Sequence, residues 1–202
     1  MQTFLNLLGF TLFSYLLGSI PFGVIFGYLF TGKDIRVGGS GRSGGTNTIR
    51  QAGWRAGLLT VIFDVGKGAL AVWLAQQYGA HWIAPALAGA AVTAGHCWPL
   101  FAGFRGGMGL ATGSGVMLTA YPWGFLPAFG VLFAAALVWR HPARAALTTC
   151  VIGMPMIWLI SQAAQPTAIG IGLGVVVAAR ALPDWNQKRK ASVWLGEVKT
   201  EN

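Results

Sequence analysis

The chain has 202 residues, of which 54% are hydrophobic and only 9% charged, with a formal net charge of +9. An ordinary soluble domain carries roughly 25% charged residues, so this composition excludes a soluble globule and indicates one integral membrane domain over residues 1–202. Long apolar runs separate the basic clusters, so the positive charge forms no continuous face for nucleic acid.

The first apolar run, about Phe4 to Phe30, is long enough to cross a hydrocarbon core of roughly 30 Å. It lacks a basic leader and a cleavage site, so it is expected to stay as a span. Gly18-Ser19-Ile20-Pro21-Phe22-Gly23 interrupts it and predicts a kink or break. A polar loop follows, with Lys33, Arg36, Arg42, Arg50 and Arg55 near or within it and the stretch Gly38-Gly39-Ser40-Gly41-Arg42-Ser43-Gly44-Gly45-Thr46-Asn47 at its centre. Glycines let backbone N–H groups converge on an anion, and arginines supply paired donors that match phosphate geometry. The loop reads as a phosphate-handling site at a membrane surface.

The second run, about Trp54 to Ala75, contains Asp64 and Lys67, three residues apart on one helix face. Ionisable groups inside a span are costly and face a protein interior or a cavity, so the pair is either a structural ion pair or part of a site. An uncharged connection, residues 76–81, leads to a third run, about Trp82 to Phe101. The basic glycine turn Phe104-Arg105-Gly106-Gly107-Met108-Gly109 comes next. The apolar stretch Leu110 to Trp139 is too long for one span, and Tyr121-Pro122-Trp123-Gly124 divides it, leaving its first half short. Arg140-His141-Pro142-Ala143-Arg144 is basic again. Runs of about Ala145 to Ile160 and Thr167 to Leu182 flank the uncharged residues 161–166, and a basic tail, residues 183–202, carries Lys188, Arg189, Lys190 and Lys199.

Basic connections thus alternate with uncharged ones. The expected fold is an all-α polytopic membrane protein with about seven transmembrane helices, N-terminus outside and C-terminus cytoplasmic. Cys97 and Cys150 have no metal-ligand spacing and imply no disulfide. No metal and no cofactor are expected. The tryptophans read as interfacial anchors, and no internal repeat of the kind that builds many transporters is visible.

Several ordered blocks carry a resemblance. Gly18-Ser19-Ile20-Pro21, Gly39-Ser40-Gly41 with Gly45-Thr46-Asn47 and Arg50, Phe63-Asp64-Val65 with Lys67-Gly68, Gly95-His96, Trp98-Pro99, and Phe104-Arg105-Gly106-Gly107 with Gly109, Ala111 and Thr112 resemble the bacterial acyl-phosphate-dependent glycerol-3-phosphate acyltransferases. That resemblance implies a multi-pass enzyme of the bacterial inner membrane, with its site facing the cytoplasm. Its substrates would be glycerol 3-phosphate and acyl phosphate, and its product lysophosphatidate for phospholipid synthesis.

On this reading Arg50, Arg105 and the turn Gly106, Gly107, Gly109 bind phosphate, and Ser40 orients the attacking hydroxyl. The proton acceptor is a substrate phosphate oxygen or His96, itself either a base or a loop anchor. Thr46 and Asn47 contact ligand or cap the second span, and Asn186 binds substrate from the tail. The chain departs from the family at Arg42 (usually asparagine), Gly45 (alanine), Arg105 (lysine), Met108 (lysine) and Pro183 (histidine). Glu197 matches its counterpart only with a two-residue insertion. Arg42 is a candidate replacement for the charge missing at Met108. A phosphate-ester or lipid-binding homologue without catalysis, or a transporter, remains the alternative class. The retained Ser40 and Arg50 oppose it.

Overall fold

The computed structural model describes residues 1–186. They form eight α-helices: α1 (Gln2–Gly18), α2 (Phe22–Thr31), α3 (Gly45–Tyr78), α4 (Ala84–Cys97), α5 (Leu110–Ala120), α6 (Pro122–Trp139), α7 (Pro142–Ser161) and α8 (Ala164–Ala181). The break predicted in the first run lies between α1 and α2, which share one 30-residue candidate span, Gln2–Thr31. Seven rods result. Five of them are long and apolar enough to cross a membrane.

Of the other two rods, α5 is short as expected, while α4 corrects the sequence reading. The third run is helical only over Ala84–Cys97, 14 residues, and α5 has 11. At 1.5 Å per residue these are about 21 and 16 Å long, short of a full crossing. Pro99 explains the early end of α4, because a residue preceding proline is pushed out of the helical region; Trp98 sits at φ −129°, ψ 71°. A second correction concerns residues 45–50, expected as loop. They open α3, and Gly53, at φ 86° and ψ 167°, then divides that helix into 45–52 and 54–78. A β-carbon would strain this backbone.

Two pairs of helices meet at glycine. Gly18 of α1 lies against the Val92 carbonyl of α4, and Gly95 of α4 lies against the Tyr15 carbonyl. Gly68 of α3 faces the Thr112 carbonyl of α5, and Gly115 of α5 faces that of Val65. Lipid supplies no hydrophobic drive between helices, so close backbone packing through small residues holds them. Polar side chains lie inside among the small apolar ones: Ser14, Thr60, Asp64, Lys67, Thr93, His96 and Thr112 are buried, while Phe133, Leu137, Val151, Leu159 and Val175 are exposed.

Hydrogen bonds sort the connections into two ends. At one end Arg36 Nη1 donates to the Ala102 carbonyl at 2.6 Å, Arg42 pairs with Asp184, and Arg144 Nε donates to the Trp185 carbonyl at 3.3 Å. At the other, Asn6 accepts from the Ala80 N–H at 2.8 Å and Gln165 Nε2 donates to the Trp82 carbonyl at 3.1 Å. The basic connections therefore gather at one end and the uncharged ones at the opposite end.

Candidate active site

The first loop is built around Asn47. Its Oδ1 accepts the Ser40 N–H at 2.9 Å, and its Nδ2 donates to the carbonyls of Ile35 (2.9 Å), Arg42 (2.8 Å) and Gly38 (3.4 Å). Asn47 thus organises the loop from within the first turn of α3, and its side chain does not cap the helix. Gly39 takes φ 60°, and a side chain there would meet Asn47. The result presents Ser40, Thr46 and Arg50 on the exposed surface while Asn47 is buried. In the same loop Asp34 holds the Arg36 guanidinium, with Nη2 to Oδ2 at 2.8 Å. That bond pulls the Asp34 carboxyl below its ordinary range and raises Arg36 above its own.

The second glycine turn rests on the end of α4. The Gly107 N–H donates to the His96 carbonyl at 3.1 Å, and a β-carbon at Gly107 would run into the His96 ring. Gly106 packs as closely on the carbonyls of His96 and Cys97. Gly109 is the residue before α5 and lies against Thr93, Cys97 and Val177. Arg105 is exposed, and Met108 packs into the apolar cluster of Ala143, Ala146 and Val177.

Below the turn lies the intramembrane group. Asp64 Oδ1 faces Lys67 Nζ at 2.8 Å and His96 Nδ1 at 3.2 Å. Lys67 also donates to the carbonyls of Gly18 at 2.9 Å and Ile20 at 3.1 Å, in the break between α1 and α2. Lys67 and Asp64 are thus a buried ion pair that also stitches the first span to α3. His96 joins this group to the glycine turn.

Two residues that the sequence reading did not assign complete the site. Arg180, at the end of α8, donates from Nε to the Gly107 carbonyl at 3.1 Å and from Nη1 to Asp184 at 3.2 Å. Arg42 donates to the same Asp184 oxygen from the first loop. Burial lowers the basicity of Arg42, and Asp184 opposes that fall. Bonds therefore run without interruption from the first loop through Asp184 and Arg180 to the second turn, His96, Asp64 and Lys67. Asn186 is exposed at the end of the described residues, beyond which Arg189 and Glu197 lie.

An apolar cleft of about 90 Å³ opens among α5, α6, α7 and α8. Gly109, Phe125, Met154, Gly170, Leu173 and Val177 are among its walls. Gly109 thereby belongs both to the glycine turn and to the cleft.

Fold and site together define a multi-pass helical membrane protein with a cationic, glycine-rich site at one end and an apolar cleft beside it. The sequence profile of the glycerol-3-phosphate acyltransferases matches residues 8–189. A glycerol-3-phosphate acyltransferase of Laribacter hongkongensis (strain HLHK9) is 43% identical over 169 residues, covering 82% of each chain. Its counterpart in Aromatoleum aromaticum (strain DSM 19018 / LMG 30748 / EbN1) is 39% identical over 175 residues, 86% of this chain and 88% of that one. The crystal structure of PlsY (YgiH), an integral membrane glycerol 3-phosphate acyltransferase in its glycerol 3-phosphate form, matches with a TM-score of 0.77 at 31% identity. It covers 88% of this chain and 89% of that chain. The chain belongs to the glycerol-3-phosphate acyltransferase family.

Proposed function

We propose that this enzyme transfers an acyl group from acyl phosphate to the 1-hydroxyl of glycerol 3-phosphate at the cytoplasmic face of the bacterial plasma membrane. The acyltransferase activity goes with the family, whose crystallised member PlsY has also been solved in a lysophosphatidic acid form. The donor, the orientation and the residue roles are the proposal. The observation that carries them is continuity: one residue, Gly109, lines the apolar cleft and ends the glycine turn to which Arg180 is bonded, and Asp184 links Arg180 to Arg42 of the first loop. A substrate with both a lipid tail and a phosphate fits such a junction.

Acyl phosphate is an activated mixed anhydride, so no covalent enzyme intermediate is required. The hydroxyl oxygen forms the new bond to the acyl carbon, and the bond from that carbon to the phosphate oxygen breaks. The electron pair leaves on phosphate, whose oxygen takes the hydroxyl proton. Holding the two substrates together supplies much of the rate, and cationic donors stabilise charge on the tetrahedral oxyanion and the leaving phosphate. Ser40 orients the attacking hydroxyl. Arg50 and Arg42 hold glycerol 3-phosphate from the loop side, helped by Thr46 and Asn186, and Asn47 keeps the loop in shape. Arg105 adds charge beside the turn Gly106, Gly107, Gly109. His96, buried beneath Gly107 and facing Asp64, anchors that turn.

Purified protein given glycerol 3-phosphate with acyl phosphate, acyl-CoA or acyl-carrier protein should form lysophosphatidate best from acyl phosphate. Preference for a thioester would overturn the donor assignment. Failure with every donor would leave a fold without turnover.

A further inference from the structure

We propose that Arg180 binds the phosphate of the acyl-carrying substrate, which places the α8 side of the site on the donor and the loop side on glycerol 3-phosphate. The assignment rests on the acyl phosphate reading above and follows from where Arg180 stands. Val177, one turn earlier on α8, lines the apolar cleft together with Gly109. A lipid tail in that cleft would leave it at the glycine turn, where Arg180 is bonded to Gly107. The glycine turn places no cation of its own toward the cleft, since Met108 packs into the apolar cluster beside Val177 and Arg105 is exposed.

Arg180 is also prepared for an anion. Its Nε and Nη1 are fixed by Gly107 and Asp184, while Nη2 has no bond among the described residues. The guanidinium is held, with its side chain only 19% exposed, so little freedom is lost on binding. Asp184 accepts from both Arg180 and Arg42, so two cations share one carboxylate and the group keeps a net positive charge that one further anion would neutralise. A planar guanidinium suits phosphate oxygens and strengthens as charge gathers on the leaving group.

The test uses detergent-purified full-length protein and an acyl phosphonate, in which a methylene replaces the bridging oxygen and blocks transfer. Arg180→Gln should weaken phosphonate binding at least tenfold and leave the KM for glycerol 3-phosphate within about threefold, whereas Arg180→Lys should recover part of the loss. Arg180→Met keeps the packed stem and replaces the glutamine variant should that one fail to fold. A purely structural role would disturb both substrates alike. Phosphonate binding unchanged by the loss of charge, absent in the wild type, or a loss falling on glycerol 3-phosphate would each overturn the assignment. Loss of phosphonate binding in a protein that turns over only thioesters would keep Arg180 as an anion site and reject acyl phosphate as the donor.

Discussion

Asp184 accepts from two guanidiniums, and this decides what each arginine substitution removes. Replacing Arg42 leaves the carboxylate still paired with Arg180, so Arg42→Asn takes charge from the loop side without orphaning a buried acid. It should raise the KM for glycerol 3-phosphate about tenfold, near 1.4 kcal/mol, with a much smaller effect on kcat. Adding Met108→Lys should restore part of the loss, because a lysine there can keep its stem in the apolar cluster and carry its ammonium outward. Steady-state kinetics of the two variants checks both statements, and an unchanged KM for Arg42→Asn would make Arg42 a topology charge. Arg180 escaped the sequence reading because a basic residue at the end of a span is already explained by topology. A signal was present nonetheless. Only five acidic residues occur in the chain, and Asp34, Asp64 and Asp184 all hold cations.

Among the elements, α3 carries the buried ion pair that ties the first span to the rest of the bundle. Lys67→Met keeps length and apolar bulk but removes the ammonium that joins Asp64 to the carbonyls of Gly18 and Ile20. Breaking one side of a buried pair costs about 3–5 kcal/mol, so thermal unfolding in detergent should fall by roughly 10 °C. The double variant Asp64→Asn with Lys67→Met should recover part of it. A melting temperature equal to wild type would show that the pair contributes nothing to holding the first span. The break between α1 and α2 was legible because Gly, Ser and Pro fall together there. The helical start at residues 45–52 was not, since a glycine-rich polar stretch reads as loop until Asn47 is seen to fold the preceding backbone over it. The early end of α4 could have been read from Trp98-Pro99, but hydropathy continues through Phe101 and conceals it.

For the molecule as a whole, alternation of basic and uncharged connections predicted which loops share an end, and the hydrogen bonds at the two ends agree. The positive-inside tendency predicts that the basic end faces the cytoplasm. Single cysteines placed at residues 76–81 and 161–166 should react with an impermeant thiol reagent added outside intact cells, and those at 38–44 should react only after permeabilisation. Labelling of both sets from the same side would reject the orientation. Hydropathy could not reveal the short reach of α4 because its apolar run extends beyond the helix, whereas the short α5 was legible from Tyr121-Pro122. Nor could it reveal the cleft among α5 to α8, which depends on how the rods lean together.

Lys67 also fixes an order of events during synthesis. Until α3 is made, the Gly18 carbonyl lacks the Lys67 ammonium that answers it, whereas the Ile20 carbonyl already accepts the Phe22 N–H at 3.1 Å. Hydrocarbon offers no substitute. The polar contacts of the first span are therefore complete only once α3 packs against it and brings Lys67 to the Gly18 carbonyl.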